Sequence, residues 1–88
     1  MNLTEMKLFF QENNVPDDFY VIDGLGSGEV DGIGMIDGRW ASYYSERGQK
    51  SDIQYFDSEE EACVALIVEV SSRVKEEFGK ALPKLNKS

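Results

Sequence analysis

The chain has 88 residues, no histidine and one cysteine, and its 17 acidic against 9 basic side chains give a formal net charge of −8. A chain this short makes a single domain that buries only roughly 60% of the surface its unfolded form exposes, so one modest core must suffice. Nucleic acid and anionic membranes are disfavoured as partners because both would repel it. Lone Cys63 cannot form an internal disulfide and falls on an apolar helical stripe, which reads as a buried structural thiol in a reducing compartment. The N-terminal MNLTEMKLFF is broken by Glu5 and Lys7, so no secretory signal is expected. The longest apolar run, Ala62 to Val68, is far short of the roughly 20 residues needed to cross a bilayer. A cytoplasmic location is the expectation.

The first element is a helix from Asn2 to about Asn13. Asn2 can cap it with Glu5 three residues on, Leu3, Met6 and Phe10 form a narrow apolar stripe, and Pro16 cannot continue it. Phe19 to Ile22 reads as a short strand, followed by the flexible Gly24-Leu25-Gly26-Ser27-Gly28. Glu29 to Ile36 reads as a second strand whose Gly32 and Gly34 suggest a bulge or close approach by another backbone. Asp37-Gly38 is a two-residue hairpin signal into an aromatic third strand, Arg39 to Glu46, with Trp40 and Tyr44 on one face and Ala41 and Tyr43 on the other. Arg47-Gly48-Gln49 reverses the chain into a fourth strand, Lys50 to Phe56. After it the period changes. Cys63, Leu66, Ile67, Val70 and Val74 line one stripe of a long helix, capped by Asp57 or Ser58 with Glu60 or Glu61 completing a capping box.

These elements predict an α+β fold, with an N-terminal helix, a four-stranded antiparallel meander and a long C-terminal amphipathic helix packed on the sheet. An antiparallel meander is expected because the connections are short, and parallel neighbours ordinarily need a crossover of a dozen residues or more. Residues 1–80 form the domain and 81–88 a loosely ordered basic tail. Either the two helices sit on opposite faces of the sheet, or both cover one face and leave an exposed aromatic surface; the second is favoured.

No catalytic set can be assembled. Without histidine the commonest base and metal ligand are missing, and a serine nucleophile would depend on lysines that lie mostly near the C-terminus. The glycine-rich loop lacks the phosphate-binding spacing and no helix opens after it, while Asp23, Glu29 and Asp31 lack the order of a calcium loop. No enzyme activity, metal or cofactor is therefore expected. Charge is unevenly spread: between Lys7 and Arg39 there is no base, while Glu12, Asp17, Asp18, Asp23, Glu29, Asp31 and Asp37 all fall there. From Arg73 onward bases predominate.

The segment YYSERGQKSDIQYFDSEEEAC, in which Tyr-Tyr-Ser-Glu-Arg-Gly precedes Phe-Asp-Ser-Glu-x-Glu-Ala-Cys opening an apolar helix, resembles small immunity proteins of bacterial polymorphic-toxin and contact-dependent growth-inhibition systems. The likeness spans Tyr43 to Leu66, about the central third of the chain, with a similar order of elements. It implies a non-enzymatic inhibitor that binds one cognate toxin domain, commonly a nuclease, in the producing cell. It also implies that Glu46 and Arg47 hold the fold. A basic substrate groove on such a toxin would suit the acidic interval, so Asp17, Asp18, Asp23, Glu29, Asp31 and Asp37 are the candidate toxin-binding charges, with Tyr43 or Tyr44 as anchors. The expected partner is a basic toxin domain, with the chain itself a monomer or weak dimer. Two other readings stay open: an acidic adaptor or regulatory subunit for a basic cellular protein, and a homodimer enclosing a small-molecule site.

Overall fold

The computed structural model describes residues 1–25 and 28–79. In chain order it contains α1 (Leu3–Glu12), a single 3-10 turn (Asp17–Phe19), β1 (Tyr20–Ile22), β2 (Val30–Ile36), β3 (Arg39–Glu46), β4 (Gln49–Phe56) and α2 (Glu59–Phe78). The expected basic tail, 81–88, lies outside the described residues.

Local chemistry sets the helix ends. The Asn2 carboxamide accepts the Glu5 N–H at 2.9 Å, and the Glu5 carboxylate accepts the Asn2 N–H at 3.0 Å, a complete capping box. Asn14 turns the chain out of the helix at φ 58°, and Val15 tucks beneath it. In α2, Ser58 rather than Asp57 is the cap. Its hydroxyl accepts the Glu61 N–H at 3.2 Å while the Glu61 carboxylate accepts the Asp57 N–H. Gly79 closes α2 in the left-handed conformation that a residue without Cβ adopts freely. The two helix starts are also tied together, because Glu59 accepts the otherwise free Leu3 N–H at 2.8 Å.

The strand order is β1-β2-β3-β4, with β2, β3 and β4 antiparallel as expected. Asp37-Gly38 and Arg47-Gly48 each have two positive φ values, the mirror-image turn that matches strand twist. The pairing of β1 corrects the all-antiparallel meander: β1 runs parallel to β2, with Tyr20 opposite Asp31 and Ile22 opposite Ile33. The expectation failed because β1 is only three residues long. The chain has to retrace only about 10 Å, a distance that the seven residues 23–29 are long enough to cover. Asp23 and Gly24, both at positive φ, turn the chain immediately.

Both helices cover one face. Met6 and Phe10 of α1 join Ile33 of β2 and Ala62, Cys63, Leu66, Ile67, Val70 and Val74 of α2 in one cluster, and the Phe10 ring lies 4.6 Å from that of Tyr20. Alternation puts Asp31 and Ile33 of β2, and Trp40, Ser42 and Tyr44 of β3, on that side. The opposite face is not the exposed aromatic surface expected. Tyr43 lies flat across Gly32, where an added Cβ would stand 2.3 Å from the ring, and its hydroxyl reaches Gly24, donating to the carbonyl at 2.7 Å and accepting the N–H at 3.1 Å. Asp23 packs as closely over Gly34, so the two strand glycines admit neighbours that any side chain would exclude.

Candidate functional site

The path of α2 across the sheet creates the site. It begins three residues after the end of β4 and finishes over the opposite edge, where Phe78 stacks on Phe19 at 5.7 Å and Arg73 meets Asp31 of β2 at 3.3 Å. A helix crossing diagonally leaves one corner of its sheet bare, here the end of β3 and the start of β4. β4 accordingly has no fully buried residue: Ile53 is exposed, and only Phe56 at its end packs on the core.

In that corner lies a groove of about 510 Å³, floored by Ser42, Tyr44 and Gln54 and walled on the helix side by Leu66, Glu69 and Arg73. Its outer wall is a β-bulge. The register passes from Ser42 opposite Gln54 to Tyr44 opposite Ser51, leaving Asp52 and Ile53 against one residue, with Asp52 at φ 50°. Asp52 and Ile53 therefore line the groove rather than continuing the regular ladder.

The groove has an acidic rim. Asp31 inside it is 7% exposed and is already neutralised by Arg73, whose guanidinium also lies 5.6 Å from the Tyr44 ring centre. Burial alone would lower the Arg73 pKa, but the charge and hydrogen bond of Asp31 raise it above its usual value. Asp52 and Glu69 carry no ion pair among the described residues. At the open end, Glu46 shares a hydrogen bond with Glu29, and that contact, with the charges of Glu29 and Asp52, raises the Glu46 pKa. Three carboxylates thus crowd one end of β2, β3 and β4. Among the described residues, no group of three or more acids, cysteines or histidines is placed to hold a metal ion.

The eight candidate residues do not form one surface. Glu29, Asp31 and Tyr44 are brought together on the helix side, at the groove and its rim. Asp37 sits in the hairpin at the far end of β2 from Glu29. Asp17 and Asp18 lie in the 3-10 turn before β1, and Asp23 on the other face against Gly34. Tyr43 is 4% exposed with its hydroxyl held by Gly24 and its ring beneath the Lys50 ammonium at 4.5 Å, so its side chain is part of the fold, although the residue is also among those lining the groove. Sequence reading missed Asp52 and Glu69. Only the run of polar residues in β4, where a covered strand would alternate, hinted at the first.

Cys63 is fully buried, and burial pushes its thiol up to about 11. Among the described residues, no helix is long and apolar enough to cross a membrane. Comparison with known proteins gives no matching family model, no matching curated protein and no matching solved structure.

Proposed function

We propose that this protein is an immunity-type inhibitor that binds and neutralises a basic bacterial toxin domain, with the bare corner of the sheet as the contact surface. The observation that carries this reading is β4. A domain of this size needs its strands for the core, yet β4 places eight residues at the edge without burying one, beside an open acidic groove. Only Phe56, at its end, packs against the core, and a strand left otherwise uncovered is accounted for by a partner. The resemblance over Tyr43 to Leu66 covers β4 with the end of β3 and the start of α2, and the net charge of −8 would speed encounter with a basic surface.

The contact surface differs from one built on the early carboxylates alone. It keeps Glu29 and Tyr44, adds Asp52, Ile53 and Glu69 together with Glu46, which the resemblance had assigned to holding the fold, and leaves Asp17, Asp18 and Asp37 to long-range attraction. The edge of β4 is also where a second copy of the chain would pair, but left-handed Asp52 and charged Lys50 interrupt it, the usual protection of a free strand edge.

The test is co-expression with the C-terminal domain of the neighbouring reading frame, which the proposal requires to be toxic on its own. Rescue of growth together with a one-to-one complex is the expected result. Unchanged killing would end the proposal, and a stable dimer by light scattering at micromolar concentration would favour the homodimer instead.

A further inference from the structure

We infer that the groove between α2 and β4 is a receptor for a single arginine side chain presented by the partner protein. The inference rests on the binding role proposed above and names the group that this role would recognise.

Three observations converge. The first is shape: about 510 Å³ lies within the range of sites that enclose small ligands, and here it is open at the domain surface, where a side chain from another protein can enter. The second is a polar floor. Ser42, 7% exposed, stands on the helix-facing side of β3 and lines the groove, and no buried side-chain oxygen among the described residues is left without a partner, so its hydroxyl is open to the groove rather than sealed. A group entering the groove can replace the solvent there. The third is charge. With Asp31 and Arg73 satisfying one another, Asp52 and Glu69 remain as carboxylates without an ion pair among the described residues, on opposite walls, one from the bulge and one from the helix.

The chemistry these groups select is a flat cation with several donors. A guanidinium can donate to two carboxylates and a hydroxyl at once, and its apolar stem can lie along Ile53 and Leu66. The fold already contains such an arrangement, since Arg73 spans Tyr44 and Asp31 immediately beside the groove. A basic nuclease offers arginines of this kind wherever it grips phosphate. Capture of one would remove a substrate contact.

The test uses the chain alone with a defined probe, acetyl-Gly-Arg-Gly-amide, followed by amide chemical shifts. Its citrulline counterpart, identical in shape and uncharged, is the control. The arginine peptide should perturb Ser42, Tyr44, Asp52, Gln54 and Glu69, and the citrulline peptide should bind roughly tenfold more weakly or worse, as expected for losing two charge contacts. The double variant Asp52→Asn/Glu69→Gln should show the same loss. Its folding is safe because both side chains are on the groove walls and Asn tolerates the left-handed backbone at position 52.

Equal binding of the two peptides, or shifts centred on Asp17, Asp18 and Asp37, would overturn the assignment. Tighter occupancy of the same residues by free spermidine would overturn it as well, by making the groove a small-molecule site. The two levels separate in cells. Protection that is intact in the double variant removes the arginine receptor and leaves the inhibitor reading standing, whereas peptide binding as described without protection does the reverse.

Discussion

β2 and β4 flank the same strand and have opposite fates. β2 is buried along most of its length, with Ile33 in the core beneath α2 and two glycines letting Tyr43 and Asp23 press onto its other face. β4 pairs along β3 just as extensively, yet none of its residues is fully buried and only Phe56 packs on the core. Hydrogen bonding alone therefore does not distinguish a core strand from a surface strand. The difference is the diagonal of α2, which passes over β2 and leaves the start of β4 uncovered.

Substitutions can break that comparison on the β2 side, beginning with the largest effect. Phe10→Ala removes a fully buried ring between α2 and β1 and should cost about 3–5 kcal/mol, read by chemical denaturation. Gly32→Ala drives a methyl into the Tyr43 ring, which is buried and held at its hydroxyl, so a loss of about 1–3 kcal/mol is expected. Combining it with Tyr43→Leu should be less than additive, since both changes act on one contact. Tyr43→Phe keeps the packing and loses only the bonds to Gly24, about 0.5–1.5 kcal/mol.

A titration probes the same core. The Cys63 pKa is raised on folding, so the folded state holds its proton more tightly than the unfolded state does. Its contribution is complete below the ordinary thiol value and is lost as pH rises through about 11. Labelling by a thiol reagent at neutral pH should proceed only as fast as the protein opens. Rapid labelling of the native state would show that α2 does not seal the core.

On the β4 side the stability effects should be smallest. Ile53→Ser should stay within about 0.5 kcal/mol of the parent while weakening partner binding. A larger loss of stability would mean that β4 belongs to the core after all and would remove the main support for its functional reading.

Much of this was legible before any coordinates. Asn2 with Glu5, a cap at Asp57 or Ser58, Asp37-Gly38, a reversal at Arg47-Gly48-Gln49 and the stripe from Cys63 to Val74 are local patterns whose physics acts within a few residues; the structure chose Ser58 with Glu61 for the cap and closed the second turn one residue earlier, at Arg47-Gly48. The placement of the candidate acids was not legible. Asp23, Glu29 and Asp31 are close in sequence, but the turn after β1 sends Asp23 to one face while strand alternation sends Asp31 to the other. Nothing in a list of carboxylates indicates which one will meet an arginine 42 residues later.

The sequence by itself determined the elements, their order, their caps and which stripe of α2 is buried, because helix periodicity, capping and turn conformations depend on neighbours along the chain. Tertiary structure decided that β1 pairs in parallel, that Tyr43 closes one face while Tyr44 opens onto a groove on the other, and that Asp52 and Glu69 face one another's side of it. Those outcomes depend on the angle at which one long helix crosses a twisted sheet, and that angle is set by the packing of all the elements together.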